Sequence, residues 1–113
     1  MIADLQKKLI KFNDERAWQQ FHSPKNLAIG ISVEANELLE IFTWLSELES
    51  NNLTPKQIER LEEEVGDITI QLLNFCHSIS LDPIECAERK LEINRKKYPI
   101  DKSFGSSKKY DEF

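Results

Sequence analysis

Three prolines mark helix starts in the same way, and this repeated signal constrains the fold more than any other feature of the chain. Ser23-Pro24, Thr54-Pro55 and Asp82-Pro83 each place a capping side chain before a proline, which suits the first position of a helix. Two of the three have the pattern of a capping box, with Gln57 after Thr54 and Glu85 after Asp82. The sequence therefore predicts a series of helices joined by short connections.

The apolar residues between these starts repeat with a helical period. No segment has the period of two that is typical of a strand. We predict an all-α fold, a four-helix bundle with helices near 2–19, 24–49, 55–80 and 83–97. The length of 113 residues suits a single domain over 1–113, with a helical body over 1–98 and a polar tail over 99–113 that resembles a flexible terminal segment.

Charge and apolar content argue against several classes of function. The net charge of −5 disfavours a nucleic acid polymer as a partner, because such binding needs a basic surface. No apolar run reaches the length of a membrane span, and the N-terminus has no signal-peptide hydrophobic region. We predict a cytoplasmic protein that binds no membrane. Cys76 and Cys86 have no metal-binding spacing and are expected to be buried thiols.

Two pairs of carboxylates recur at one spacing on the second and third predicted helices. They are Glu34 with Glu37 and Glu64 with Asp67, and residues three apart lie on one helix face. If the two helices pack together, four acidic groups meet, and they cannot all stay ionised there without a cation. Glu34 also stands where the seam of its helix requires an apolar residue, and a buried carboxylate is costly unless it is paired or metal-bound. Oxygen ligands of this kind favour Mg2+, with Mn2+ as a substitute.

Other interpretations of these carboxylates stay open. A chain with 20 acidic residues forms many such pairs by chance, and Glu37 with Glu40 is another. An acidic helix face would also suit a non-catalytic helical interaction module that binds a basic partner. A di-iron site normally requires Glu-x-x-His on two helices, and neither His22 nor His77 has a glutamate three residues before it. Gly66, inside the second pair, predicts a close approach by a ligand or another helix.

With these residues identified, the chain resembles the MazG-like all-α nucleoside triphosphate pyrophosphohydrolases, and within them the small branch that includes the dCTP pyrophosphatases. The two acidic pairs match the family signature of ExxE followed by ExxD. The segments 15–22 and 24–27 are similar to the family's sequence before the first pair, and 40–44 is similar to the sequence after it. Residues 94–99 resemble the end of its fourth helix, and 107–110 resemble its tail.

This resemblance implies hydrolysis of a nucleoside triphosphate, dCTP or a related or modified dNTP, to the monophosphate and pyrophosphate. It implies Mg2+ and a homo-oligomer, either a dimer or a tetramer built from dimers. Some dCTP-preferring relatives have an aromatic residue four positions after the ExxD aspartate, where this chain has Gln71. Base selectivity is therefore open, and dUTP or a damaged nucleotide is an alternative substrate.

The resemblance also assigns roles to individual residues. The metal ligands would be Glu34, Glu37, Glu64 and Asp67, and Glu37 and Glu64 are the candidates for the catalytic base. The substrate-binding residues would be Trp18, His22, Trp44, Lys90 and Asn94. Without the resemblance, the two tryptophans would be interpreted as core or interface residues, and Lys90 and Asn94 as part of a solvated helix face.

Overall fold

The computed structural model describes residues 1–113, and all of its regular structure is helical. The all-α prediction is therefore confirmed. None of the helices is long and apolar enough to span a bilayer. Two short 3-10 helices cover Trp18–Phe21 and Tyr110–Glu112. The six α-helices are α1 (Ile2–Glu15), α2 (Pro24–Phe42), α3 (Glu47–Ser50), α4 (Pro55–Ser78), α5 (Pro83–Lys97) and α6 (Ile100–Ser103).

The capping residues before prolines begin α2, α4 and α5 as predicted. Thr54 Oγ1 accepts a hydrogen bond from the Gln57 backbone N–H at 3.2 Å, and Gln57 Oε1 accepts one from the Thr54 N–H at 2.8 Å. Asp82 Oδ1 accepts hydrogen bonds from the backbone N–H groups of Ile84 and Glu85 at 2.8 and 3.2 Å. These bonds satisfy donors that the first turn of a helix leaves without a partner. They explain why α4 and α5 begin where the sequence predicts.

The predicted helix over 24–49 is wrong beyond Phe42. The chain leaves the helix in a turn, where the Leu45 N–H donates to the Phe42 carbonyl at 3.0 Å. Ser46 then adopts an extended conformation and starts α3 with a capping box. Its Oγ accepts from the Glu49 N–H at 3.1 Å, and Glu49 Oε1 accepts from the Ser46 N–H at 3.0 Å. A second helix start thus competes with continuation of the first.

The predicted helix over 2–19 also ends early, at Glu15. Ala17 has a φ of 53° in the left-handed region, which an ordinary side chain rarely adopts and which a continuing helix cannot include. The reversal starts the 3-10 helix and brings the Trp18 ring edge-on to Phe12, with centroids 5.6 Å apart. The Arg16 guanidinium lies over the ring of Phe12, 3.7 Å from its centroid.

The chain forms two compact units, Met1–Ser80 and Leu81–Phe113. In the first unit α2 packs along α4, and α1 contacts α4 and the first 3-10 helix. The core of this unit is small: its buried apolar side chains are Leu27, Ile41, Leu73 and Cys76. Neither cysteine of the chain forms a disulfide. Cys86, on α5, is exposed rather than buried, so that part of the prediction is wrong.

In the second unit the segment after Pro99 folds back on the end of α5. The Tyr98 ring makes edge-to-face contacts with Tyr110 and Phe113, with centroid distances of 6.2 and 5.9 Å. Lys97 Nζ lies 4.6 Å from the centroid of the Tyr110 ring. The predicted polar tail therefore has aromatic contacts of its own and does not extend away from the unit.

Candidate active site

Three of the four predicted carboxylates meet between α2 and α4. One oxygen from each of Glu34, Glu37 and Glu64 can be chosen so that all three lie within 4.8 Å of one another. Glu34 and Glu37 project together because they are three residues apart on α2, and Glu64 faces them from α4. We call these three residues the acidic cluster. Its members are half-buried, so the packing of two helices partly removes them from water.

Two oxygens of the acidic cluster are buried and have no hydrogen-bond partner. They are Glu34 Oε2 and Glu64 Oε2. A buried acceptor normally has a donor, and leaving one unsatisfied costs about 1–3 kcal/mol, more for a charged group. Neither of the two ion pairs in the structure includes a carboxylate of the cluster. The arrangement therefore concentrates negative charge without supplying a protein cation.

This crowding makes the carboxyls of the cluster harder to ionise. Burial raises the pKa of Glu34 from 4.5 to about 7, with further contributions from Glu37, through a hydrogen bond and its charge, and then from Asp67 and Glu64. Burial also raises the pKa of Glu64, and the charges of Glu37 and Asp67 act in the same direction. A hydrogen bond with Glu34 opposes part of that rise.

Asp67 lies beside the acidic cluster rather than in it. Its side chain is exposed, and it is not among the three carboxylates whose oxygens converge. Its charge nevertheless contributes to the raised pKa values of Glu34 and Glu64, so it is close enough to interact with both. The structure thus brings together three of the predicted ligands and places the fourth at the edge.

The close approach between helices occurs at Gly30 and not at Gly66. A Cβ atom at Gly30 would lie 2.8 Å from Gln71 Oε1, whereas nothing lies within 4 Å of a Cβ at Gly66. The approach predicted at Gly66 is therefore not made within this chain. The contact of Gly30 with Gln71, and of Glu37 with Glu64, shows that α2 and α4 run antiparallel. One turn of α2 separates the glycine from the acidic cluster.

The acidic cluster fits a hard divalent cation such as Mg2+. Its donors are carboxylate oxygens alone, which is the ligand type that Mg2+ prefers. The two buried oxygens without partners are acceptors that a cation would satisfy. Burial and neighbouring carboxylates raise the pKa values of Glu34 and Glu64. A cation beside them would lower both values, because a positive charge favours the ionised form of a carboxyl. Glu34, Glu37 and Glu64 are the residues that would hold the ion, with Asp67 within reach.

An open cavity of about 310 Å3 lies between α1, the first 3-10 helix and α4. Phe12 and Trp18 form an aromatic wall, leucine and isoleucine side chains of α1 and α4 line much of the rest, and His22, Gln71 and a few other polar side chains complete the lining. Trp18 is 44% exposed, so part of its side chain is accessible to a ligand. Trp18 and His22, two of the predicted substrate-binding residues, therefore line the same cavity.

A pair of buried asparagines, which the sequence reasoning missed, lies in the wall of this cavity. Asn13 Nδ2 donates a hydrogen bond to Asn74 Oδ1 at 3.0 Å. The signal for Asn13 was present in the sequence, because it continues the inward face of α1 formed by Ile2, Gln6 and Leu9. A polar residue at an apolar position is the same signal that identified Glu34.

The other predicted binding residues lie elsewhere. Trp44 is in the turn after α2 and is 91% exposed, so it is not a core residue of the chain. Lys90 and Asn94 are one turn apart on α5, in the second unit, with Lys90 exposed and Asn94 half-buried. Their roles in binding stay predictions.

Sequence and structure comparisons find relatives over nearly all of the chain. It is 34% identical to the mouse protein dCTP pyrophosphatase 1 over 111 residues, which is 96% of this chain and 65% of the relative. It is 33% identical to the human protein of the same name over 113 residues, 98% of this chain and 66% of the relative. The chain thus spans about two thirds of the length of these relatives.

A solved structure and a family match agree with these relatives. The crystal structure of a pyrophosphatase from Archaeoglobus fulgidus superimposes with a TM-score of 0.83 at 42% identity, covering 87% of this chain and 92% of the other. The MazG-like family matches residues 29–113, a range that includes the whole acidic cluster and Asp67. With three carboxylates of its ExxE and ExxD pairs brought together on antiparallel helices and a family match over most of its length, the chain belongs to the MazG-like family.

Proposed function

We propose that this protein hydrolyses a nucleoside triphosphate, dCTP or a related or modified dNTP, to the monophosphate and pyrophosphate, with Mg2+. The observation that carries the proposal is the acidic cluster, with its two buried oxygens that no protein donor satisfies. The names of the mammalian and archaeal relatives support a pyrophosphatase, and those of the mammalian relatives favour dCTP.

The charges of protein and substrate require a cation between them. A triphosphate is strongly negative, and a cluster of carboxylates would repel it. When bound, Mg2+ would neutralise charge on the phosphates and orient them. The contribution of this chain is to fix Glu34, Glu37 and Glu64 on two packed helices, so that the phosphates meet a site whose geometry is set before they arrive.

The chemical step is the attack of water on the α-phosphorus. The water oxygen forms the new bond, the bond between the α-phosphorus and the oxygen bridging to the β-phosphate breaks, and pyrophosphate leaves. The proton of the attacking water passes to a carboxylate oxygen of the acidic cluster. Glu37 and Glu64 are the candidates for this base. Both are half-buried at the contact of α2 with α4, where either would accept a proton from a water held in the site.

The base of the nucleotide would bind in the aromatic cavity beside the acidic cluster. Trp18 offers a partly exposed aromatic side chain there, and His22 offers a hydrogen-bonding group. Trp44, Lys90 and Asn94 are proposed to contact the nucleotide on the resemblance alone. Trp44 is exposed enough to stack on a base, and Lys90 is exposed enough to pair with a phosphate.

The test is pyrophosphate release with Mg2+ against a panel of ordinary and modified dNTPs and NTPs. We expect turnover that requires Mg2+ and that Glu37→Gln abolishes, because the amide removes both a metal ligand and a candidate base. Glu40→Gln is the matched control. It lies one turn along α2 on the exposed surface, outside the acidic cluster, and should leave turnover unchanged.

Any of three results would count against the proposal. No release from any nucleotide would leave the acidic helical interaction module as the function to pursue. Release that survives in Glu37→Gln would place the chemistry outside the acidic cluster. Loss of activity in Glu40→Gln as well would show that the helix face, rather than the cluster, is sensitive to charge.

We also propose that the enzyme is a homo-oligomer, a dimer or a tetramer of dimers. In one chain α2 exposes Ile29, Val33 and Leu39 by half or more, beside the exposed Trp44. Large apolar side chains exposed to this degree often lie in an interface. Sedimentation over a hundredfold range of protein concentration should show a dimer or tetramer, and a monomer at every concentration would contradict this. The cytoplasmic location and the single domain over 1–113 stay predictions.

A further inference from the structure

We propose that the buried pair Asn13–Asn74 reads the polar edge of the nucleobase and selects a base that carries an amino group beside an unprotonated ring nitrogen. The inference rests on the proposed function, since it names what the same enzyme would recognise in its substrate beyond the phosphates. Cytosine and adenine share this edge. Uracil and thymine instead present a carbonyl oxygen beside a ring N–H.

The pair is buried and only partly satisfied. Asn13 is 5% exposed and Asn74 is 9% exposed. Their mutual hydrogen bond uses one hydrogen of Asn13 Nδ2 and one lone pair of Asn74 Oδ1. An asparagine side chain can make about four hydrogen bonds, and the structure gives Asn13 Oδ1 and Asn74 Nδ2 no protein partner. Buried amides with remaining capacity are costly unless something else satisfies them.

The two residues that carry these unpaired groups line two cavities. Asn13, His22 and Asn74 line both the aromatic cavity and an adjoining cavity that also includes His77. Neither Asn13 Oδ1 nor Asn74 Nδ2 is among the fully buried atoms that have no hydrogen-bond partner, so each keeps some accessible surface, and both side chains line these cavities. The pair is therefore a polar wall that a ligand can contact.

The position of the pair along α4 suits a nucleotide. Glu64, Asp67, Gln71 and Asn74 follow one another at steps of three and four, so they lie on one face of the helix. Asn74 is ten residues after Glu64, the member of the acidic cluster on α4, or about 15 Å along the helix axis. A nucleotide laid along this face would have its phosphates at the acidic cluster and its base between the aromatic wall and the amide pair.

The chemistry of the pair matches one kind of base edge. Their hydrogen bond leaves one acceptor, Asn13 Oδ1, and one donor, Asn74 Nδ2, without a protein partner. The acceptor suits an exocyclic amino group, and the donor suits the ring nitrogen beside it. Asparagine recognises adenine through such a donor and acceptor pair. The alternative is that the pair only joins α1 to α4, as a structural hydrogen bond, and the two roles make different predictions.

The first test changes the ligand and leaves the protein intact. We compare kcat/KM for dCTP, dATP, dUTP, dTTP and the dCTP analogue whose base is 2-pyrimidinone, which lacks the amino group. We expect dCTP or dATP to exceed dUTP and the analogue by at least about tenfold, since a buried hydrogen-bonding group left without its partner strongly disfavours binding. Which of dCTP and dATP leads identifies the base that the cavity admits.

The second test changes the pair. Asn13→Leu together with Asn74→Leu removes both partners in a similar volume, which leaves no unmatched amide and should preserve the fold. We expect the amino-base preference to shrink to within about threefold, mainly through KM. The matched control is Gln6→Leu, an amide on the same helix that does not line either cavity. Its base preference should equal that of the wild type.

Saturation-transfer NMR with uncharged deoxycytidine, deoxyadenosine and deoxyuridine, in EDTA, separates this inference from the proposed function. Binding of an amino-bearing nucleoside that the double variant loses supports the inference even if no triphosphate is cleaved. Equal turnover of all bases in the wild type, a preference for dUTP, or an unchanged preference in the double variant would overturn it while pyrophosphate release upholds the enzyme. If the double variant does not fold, Asn74→Asp decides, because it keeps the acceptor for Asn13 Nδ2 and removes only the donor; the preference for dCTP over dUTP should shrink, and an unchanged preference would overturn the inference.

Discussion

At the scale of single residues, Glu34 links the folding of this protein to its chemistry. Burial, and then its acidic neighbours, raise the pKa of its carboxyl from 4.5 to about 7 in the folded protein. Between these values the folded state holds a proton that the unfolded state has lost, so the free energy of unfolding falls as the pH rises. The contribution of Glu34 to stability is complete below about pH 4.5 and is lost as the pH passes 7.

We therefore expect Glu34→Gln to stabilise the metal-free protein at pH 8 but not at pH 5. The amide keeps the shape of the side chain and removes the charge that burial and its acidic neighbours disfavour. Thermal melting in EDTA should show a melting temperature a few degrees above the wild type at pH 8. A variant that melts below the wild type at pH 8 would contradict the buried, crowded charge. Glu40→Gln serves as the exposed control.

Mg2+ should remove this instability in the wild type. A ligand that binds only the folded state raises its stability, by about 1.4 kcal/mol at ten times its Kd. We expect Mg2+ to raise the melting temperature of the wild type and of Glu40→Gln, and to have little effect on Glu37→Gln. A flat response of the wild type across millimolar Mg2+ would mean that the acidic cluster binds no such ion.

At the scale of elements, the starts of α2, α4 and α5 and the end of α5 were predictable, whereas the ends of α1 and α2 were not. Thr54 and Asp82 begin their helices as predicted because capping is local, and the side chain and its backbone partners are two or three residues apart. The end of α2 at Phe42 has no glycine or proline to mark it. It follows from a competing start at Ser46, whose capping box with Glu49 is written in the sequence but lies inside an apolar pattern that continues.

Ser46→Ala should therefore destabilise the connection between α2 and α4. It removes the acceptor for the Glu49 N–H and one half of the capping box. Losing such a cap costs about 0.5–2 kcal/mol, measured as a lower midpoint of urea unfolding with an unchanged slope. Ser32→Ala, in the middle of α2 and exposed, is the control and should not lower the midpoint. Equal midpoints for all three proteins would show that α3 adds nothing to stability.

Some residues of the candidate site could be predicted from the sequence, but the cavity beside them could not. Glu34 was found because a charge interrupts an apolar seam, and the same reasoning applies to Asn13, whose partner Asn74 lies 61 residues away. The aromatic cavity could not be predicted. It depends on Ala17 in the left-handed region, and nothing about an alanine in the sequence indicates that conformation.

At the scale of the whole molecule, the second unit depends on aromatic contacts close to residue 113. Tyr98, at the end of α5, contacts both Tyr110 and Phe113. A change in any of these three rings therefore affects the packing of the other two. We expect Tyr98→Ala to increase hydrogen exchange in both 94–98 and 110–113. Lys102→Ala, exposed in the same unit, should leave both segments as in the wild type. Exchange that rises in only one segment would mean that the two fold independently.

The small core of the first unit has a consequence for calorimetry. The heat capacity of unfolding reports how much apolar surface water gains, and a chain of 113 residues normally gives about 1.4–1.7 kcal/mol/K. A chain that buries only Leu27, Ile41, Leu73 and Cys76 as apolar residues should fall below that range if it unfolds alone. A heat capacity of unfolding within that range, per chain, would mean that other copies of the chain cover the remaining apolar surface. Heating would then dissociate the assembly and unfold its chains in one transition.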